Sequence, residues 1–118
     1  MTVDLPYPPS INHYYTPIVI AGRSRKIVSK RGRAWKLEAV LMVRTAARSK
    51  LEGDVAVRIE VYPPDRRARD IDNIIKPILD ACTEGGAWED DSQVARLEVV
   101  RMPVEKGGRV RVTVEGIE

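Results

Sequence analysis

The clearest pattern in the chain is a helical stripe of apolar residues in its second half. Six residues fall at i, i+3, i+4, i+7, i+8 and i+11, which places them on one side of an α-helix: Ile71, Ile74, Ile75, Ile78, Leu79 and Cys82. Pro77 fits a helix only near its start, because proline lacks the backbone N–H that interior positions donate. The pattern therefore predicts a helix that begins at about Asp72 or Asn73 and closes at Gly85-Gly86.

Shorter patterns predict the other elements. Alternation of apolar and polar residues indicates strands over 55–61 and 110–114, and further strands are expected at Leu5, over 23–28 and over 94–102. A second helix is predicted over 31–50, with Ser29 as its N-cap. Three prolines within four positions predict an irregular loop from Pro6 to Tyr15. Together these elements predict an α+β fold with two layers, a mixed β-sheet and two main helices.

Length and composition limit the class of protein. The 118 residues suit one domain, spanning 1–118, with a single hydrophobic core. No apolar run approaches the roughly 18 residues of a membrane span, and the N-terminus does not resemble a secretion signal. One cysteine and one histidine exclude an internal disulfide and a Cys/His zinc site. We expect a cytoplasmic protein with no membrane partner and no small-molecule cofactor.

Basic residues are concentrated in one part of the chain. The formal net charge is +3, but residues 23–50 contain ten Lys/Arg and a single acid. Such a segment suits a phosphate backbone, since neutralising the backbone releases condensed counterions. Arg66, Arg67 and Arg69, together with the 23–36 segment, are expected to position phosphates rather than to identify bases. A solvated surface that only confers solubility remains the alternative.

Four aspartates stand out in this basic chain: Asp70, Asp72, Asp90 and Asp91. Carboxylates repel a phosphate backbone unless a divalent cation lies between them, and Mg²⁺ typically binds one or two carboxylates together with water and phosphate. An extended backbone before the helix would direct Asp70 and Asp72 to the same side, and Asp91 would complete an acidic pocket. Helix capping by Asp70 or Asp72, and a polar turn at 90–91, are the structural alternatives.

Lys76 follows Asp72 by four residues, on the side of the helix opposite the isoleucine stripe. It either forms an exposed ion pair with Asp72 or contacts a phosphate and offsets the charge that develops there. Tyr14, Tyr15 and Trp88 are candidates for stacking on unpaired bases, although packing in the core is favoured for Trp88.

Taken together, these motifs resemble one known family. The matching residues are Leu5-Pro6, Pro8-Pro9-Ser10, Asn12, Tyr14-Tyr15, Asp65-Arg66-Arg67, 69–73, Lys76, Asp80-Ala81, Gly86, Trp88, Asp90-Asp91, Gln93-Val94, Val100, 102–104 and 106–108. This combination resembles the RusA family of Holliday junction resolvases along nearly the whole chain. Ala68 interrupts a basic run that can be continuous in relatives, and Ala87 is smaller than the residue common there.

The resemblance implies a homodimeric, Mg²⁺-dependent endonuclease, with Mn²⁺ as a possible substitute, that nicks two strands of a four-way DNA junction symmetrically. It places Asp70, Asp72 and Asp91 as catalytic residues and metal ligands, Lys76 as a catalytic residue, and Asp90 as a support of its turn. DNA contacts are expected from Asn12, Tyr15, Arg23, Arg25, Lys26, Arg66, Arg67 and Arg69. Non-catalytic DNA binding, a nuclease for other branched or duplex DNA, and a nucleotide phosphohydrolase are the alternatives.

Overall fold

The computed structural model describes residues 1–118 and contains six strands and three helices. In chain order these are β1 (Thr2–Pro6), α1 (Ile11–Tyr14), β2 (Tyr15–Ile20), β3 (Arg23–Val28), α2 (Lys30–Ala46), β4 (Val55–Tyr62), α3 (Ile75–Glu84), β5 (Val94–Arg101) and β6 (Arg109–Gly116). Two 3₁₀ turns, Ile71–Ile74 and Asp91–Gln93, lie directly before α3 and β5. No helix is both long and apolar enough to cross a membrane.

Four strands form a mixed sheet in the order β1-β6-β4-β5. Strands β4 and β5 are parallel, and α3 lies in the crossover between them, whereas β6 is antiparallel to both of its neighbours. Parallel neighbours need such a crossover because a tight hairpin joins only antiparallel strands. The prediction of an α+β fold with a mixed sheet is confirmed.

One face of the sheet forms the core with the two main helices. Alternate residues of β4 and β6 are buried and face each other in register, as at Val57 with Val114 and Ile59 with Val112. Both main helices contribute buried residues to the same core: Trp35, Ala39 and Val43 from α2, and Ile78, Ala81 and Cys82 from α3. The period-2 and helical patterns in the sequence therefore identified the faces of these strands and helices that pack into the core.

The two main helices differ from their predicted bounds for identifiable reasons. Helix α3 begins at Ile75, after a 3₁₀ turn, because an α-helix that started at Asp72 or Asn73 would require a backbone donor at Pro77. Helix α2 ends at Ala46 rather than near Lys50. The chain leaves the helix there and pairs with the segment after α3, where the backbone N–H of Leu51 donates to Ala87 O at 3.0 Å.

A two-stranded hairpin, β2 with β3, lies apart from the main sheet. Its turn is Ala21-Gly22, as predicted, and both residues have positive φ, which suits the right-handed twist of a hairpin. The predicted irregular loop up to Tyr15 is wrong at its end, since Ile11–Tyr14 form one helical turn and β2 follows at once. Strand β2 has no buried face, so it lacks the alternation that would have indicated it.

Candidate active site

Asp70 and Asp72 lie where the loop after β4 enters the 3₁₀ turn before α3. Asp70 is extended, with φ −79° and ψ 129°, and occupies the N-cap position without a side-chain capping bond. Asp72 lies in the first turn, and both residues are exposed. Neither carboxylate has a hydrogen-bond or ion-pair partner in the protein, so the capping alternative is wrong for Asp70 and both side chains are available to a ligand.

The loop before Asp70 is ordered by an ion pair network. Asp65 accepts hydrogen bonds from the Arg67 backbone at 3.0 Å and from Arg69 Nη1 at 2.7 Å. The side-chain hydrogen bonds from Arg69 and Arg67 hold the pKa of the Asp65 carboxyl well below its usual value. The Arg69 guanidinium also lies 5.9 Å from the Tyr7 ring centroid, a cation–π distance. Arg66 has no such partner and is exposed.

A polar cavity of about 880 Å³ adjoins Asp70, between the N-terminal loop and the loop after β4. Its lining includes His13, Arg31, Arg67, Arg69, Asp70 and Arg101. Arg101 lies at the end of β5, and its Nη2 donates to Arg69 O at 2.8 Å. Sequence reasoning missed Arg101, because no local pattern distinguishes one arginine at the end of an exposed strand.

Asp91 opens the 3₁₀ turn that precedes β5 and is half-buried. Its Oδ1 accepts hydrogen bonds from the Thr83 hydroxyl and from Trp88 Nε1, the latter at 3.2 Å. Trp88 Nε1 also donates to Thr83 Oγ1 at 2.7 Å. Thr83 was not identified from the sequence. Its link to the site is its hydrogen bond with Asp91, eight residues further along the chain.

The neighbouring Asp90 stabilises this turn instead of facing a ligand. Its side chain accepts from the backbone and hydroxyl of Ser92, while Gln93 Oε1 accepts from the Asp90 N–H at 3.0 Å. This reciprocal arrangement is a capping box. The hydrogen bonds from Ser92 lower the pKa of Asp90. The expectation that Asp90 supports the turn agrees with these contacts.

Lys76 projects from the first turn of α3 and pairs with Asp80, not with Asp72 as one alternative proposed. The Nζ to Oδ1 distance is 3.0 Å. The hydrogen bond to Asp80 raises the pKa of the Lys76 ammonium, and the charge of Asp91 acts in the same direction. The side chain of Asp80 is itself partly exposed.

The remaining predicted DNA contacts lie on two surfaces. Arg23, Arg25 and Lys26 are exposed on β3, apart from the arginine-lined cavity, while Asn12 is exposed on α1. Tyr15 is half-buried and packs edge-to-face on Tyr14, with 4.9 Å between ring centroids. Tyr14 and Trp88 are both 0% exposed, so neither is placed to stack on a base.

The donor chemistry of this region suits a hard divalent cation. Asp70 and Asp72 are two partner-free carboxylates, the number that Mg²⁺ commonly takes from a protein when water and phosphate supply the rest. No group of three His, Cys, Asp or Glu side chains lies close enough together to hold one ion. Asp70 and Asp72 are therefore suitable ligands for such a cation without a third carboxylate. That Asp91 also binds the ion remains a prediction.

Known proteins resemble this chain over almost its full length. The sequence model of the family described as Endodeoxyribonuclease RusA matches residues 6–115. The crossover junction endodeoxyribonuclease RusA of Escherichia coli strain K12 is 42% identical over 96% of this chain and 92% of its own. The proteins of that name from Shigella sonnei strain Ss046 and Enterobacteria phage 82 are each 41% identical, covering 96% and 95% of this chain and 92% and 91% of their own.

Both the family match and the identity to these relatives extend across the loop, helix and turn that carry the three aspartates and Lys76. The resemblance drawn from the sequence motifs is therefore confirmed. The chain belongs to the RusA family of endodeoxyribonucleases.

Proposed function

We propose that this protein is a crossover junction endodeoxyribonuclease that uses Mg²⁺, or Mn²⁺ in its place, to cut four-way DNA junctions. The observation that carries this proposal is the position of Asp70, whose unpartnered carboxylate adjoins a cavity lined by four arginines. A carboxylate beside bound phosphates is favourable when a cation lies between them. The names of the relatives support the junction as substrate.

The residues of the chain divide into three chemical roles. Asp70 and Asp72, with Asp91 as a third candidate, would hold the divalent ion. When bound, such an ion polarises the phosphodiester and makes a coordinated water more acidic. Lys76 offsets negative charge that develops on the phosphate, since positioned cations lower the barrier of phosphoryl transfer. Arg67, Arg69 and Arg101 hold the backbone in place through phosphate contacts that are independent of base sequence.

The same proposal includes a homodimer of single-domain chains acting in the cytoplasm. A four-way junction has two-fold symmetry and needs two opposed cuts, whereas one chain carries one set of these aspartates. The β2–β3 hairpin carries exposed apolar side chains that a partner would cover, with Val19 73% and Ile20 53% exposed. The lone buried Cys82 suits a reducing compartment. Light scattering tests the dimer, and a mass of one chain at working concentration would contradict it.

Asparagine substitutions test the catalytic roles. Asp70→Asn, Asp72→Asn and Asp91→Asn should each abolish cleavage of a mobile four-way junction in Mg²⁺ while junction binding persists. Asp90→Asn is the matched control, because asparagine is as good an N-cap as aspartate and should leave cleavage near the wild-type rate. Wild-type cleavage by the first three variants would show that these aspartates are not catalytic. A wild-type protein that binds the junction in Mg²⁺ without cutting it would instead be a DNA-binding module.

The substrate is tested separately from the chemistry. Cleavage of junction, flap and linear duplex substrates should be compared at one salt concentration, because non-specific DNA affinity itself depends strongly on salt. A junction preference of at least tenfold is expected. Equal rates on all three substrates would instead identify a nuclease of broader specificity.

A further inference from the structure

Thr83 connects α3 to the turn that carries Asp91. Its hydroxyl contacts three partners: Trp88 Nε1 at 2.7 Å, Leu79 O at 3.1 Å, and Asp91 Oδ1. Lys76, Asp80 and Thr83 fall at i, i+4 and i+7 and therefore lie on one polar face of α3. This face carries the Lys76–Asp80 ion pair, and Thr83 at its C-terminal end contacts Asp91 in the turn before β5.

The hydrogen bonds of this cluster can be assigned from donor and acceptor counts. The Trp88 N–H is only a donor, so Thr83 Oγ1 must accept from it. The single hydroxyl proton of Thr83 is then free to donate to Asp91 or to Leu79 O. A carboxylate is the stronger acceptor, because a hydrogen bond to a charged group is roughly twice as strong as a neutral one.

The two oxygens of Asp91 consequently differ. Oδ1 accepts from both Thr83 and Trp88, whereas no protein group donates to Oδ2. Trp88 is 0% exposed, so its N–H depends on these two acceptors, and a buried donor without a partner is costly. The indole therefore anchors the cluster, and the threonine fixes the rotation of the carboxylate.

We propose that Thr83 is a positioning residue, which engages one oxygen of Asp91 and leaves the other for a divalent cation beside the scissile phosphate. This inference rests on the proposed function, and it adds a residue that the aspartates and Lys76 do not include. Groups that hydrogen-bond a metal-ligating carboxylate typically change metal affinity by about 10-fold to 100-fold when they are removed. Thr83 acts through Asp91 and needs no contact with DNA.

The test compares Thr83→Val, which replaces the hydroxyl by a methyl group, with Thr83→Ser, which retains the hydroxyl. Mn²⁺ binding to the free protein, followed by electron paramagnetic resonance, should weaken by about 10-fold to 100-fold in Thr83→Val. The Mg²⁺ concentration for half-maximal junction cleavage should rise by a similar factor. Thr83→Ser should restore both values, and junction affinity without metal should be unchanged in both variants.

Thr45→Val is the matched control. Thr45 donates to Leu41 O at 3.0 Å, and its hydroxyl lies against the carbonyl four residues back as that of Thr83 lies against Leu79 O. Thr45 is on α2, however, and has no carboxylate partner. It should alter neither metal measurement. If Thr83→Val does not fold, Thr83→Ala provides the same comparison with a smaller side chain.

The outcomes separate this inference from the proposed function. Thr83→Val with wild-type Mn²⁺ affinity and wild-type Mg²⁺ dependence would overturn the role of Thr83 while leaving the nuclease assignment intact. Weaker Mn²⁺ binding in Thr83→Ser equal to that in Thr83→Val would also overturn it, because the hydroxyl would then be irrelevant. A wild-type protein that cleaves no junction in any divalent metal would instead overturn the proposed function.

Discussion

The carboxylate of Asp80 lies 3.0 Å from the ammonium of Lys76, one turn along the same helix. This pair restrains a long, flexible side chain at the start of α3. Exposed i,i+4 ion pairs stabilise helices by only about 0.2–0.5 kcal/mol, so a contribution to fold stability gives little reason for the pair. Its more important consequence is that Lys76 is held on the polar face of α3 that also reaches Asp91.

Lys76→Ala should reduce junction cleavage by about 100-fold, since removing one group that stabilises developing charge typically costs about 10² to 10³ in rate. Junction affinity should fall much less. Single-turnover rates and binding isotherms, measured on the same junction, separate the two. An equal loss of rate and affinity would assign Lys76 to binding.

Asp80→Asn should slow cleavage less than Lys76→Ala, because the ammonium remains but is no longer restrained. Its stability should change by less than about 0.5 kcal/mol. Glu84→Gln is the control, since it removes another ion pair made by α3, between Glu84 and Lys36 of α2 at 2.6 Å. A wild-type rate in Asp80→Asn would show that Lys76 needs no restraint.

Arg101→Ala should weaken junction binding and lower the slope of log affinity against log salt by about one, the signature of one lost phosphate contact. It should also loosen the loop before Asp70, because the Arg101 guanidinium donates to Arg69 O. Arg96→Ala is the control, an exposed arginine of the same strand that does not line the cavity. Identical salt slopes for Arg101→Ala and the wild type would remove Arg101 from the DNA surface.

Gly85→Ala should destabilise the protein by about 1–3 kcal/mol, the usual cost of overpacking. A Cβ at this position would lie 2.6 Å from the Cβ of Val43, where α3 ends against α2. Gly116→Ala, with open space around the added carbon, should change stability much less. Urea unfolding measures the stability of both variants. Equal midpoints would show that α2 and α3 move apart at this contact with little loss of stability.

Alkaline pH should destabilise the fold through Cys82. Burial raises the pKa of the Cys82 thiol from 9.0 to about 12. Above pH 9 the unfolded chain loses this proton while the folded protein keeps it, so the free energy of unfolding falls as pH rises, by up to about 1.4 kcal/mol per unit. Below pH 8 the thiol contributes no pH dependence.

Urea unfolding between pH 8 and pH 10 tests this effect. Cys82→Ala should be less stable than the wild type at pH 8, because it leaves a small cavity, but its stability should fall less steeply with pH. Parallel pH profiles for the two proteins would show that another group causes the alkaline loss.

The parts of this fold that were predictable from the sequence are those whose pattern is local. The isoleucine stripe of α3 and the alternation in β4 each identify a buried face without knowledge of the partner element. Pro77 correctly indicated a helix start nearby, but the predicted start at Asp72 or Asn73 was too early, because a 3₁₀ turn over Ile71–Ile74 precedes Ile75. Strand β2 was missed because it buries neither face.

The contacts that organise the candidate site were not predictable in the same way. Thr83 meets Asp91 only after the chain has turned back eight residues later, and Arg101 meets Arg69 across 32 residues of sequence. Lys76 had acidic residues on both sides along the helix, and spacing alone could not decide between Asp72 and Asp80. The motif nominated the candidate site residues, while the tertiary structure determines which of them contact each other.

The parallel pairing of β4 and β5 makes the aspartate loop dependent on a distant piece of chain. Both strands end at the same edge of the sheet, where Met102 N donates to Val61 O at 2.8 Å and Glu105 N donates to Pro63 O at 2.9 Å. The segment after β5 thus clamps the start of the loop that leads to Asp70. Grafting residues 63–72 onto another scaffold would transfer the carboxylates without the hydrogen bonds from the segment after β5 that hold the loop. We therefore expect the isolated loop not to confer nuclease activity.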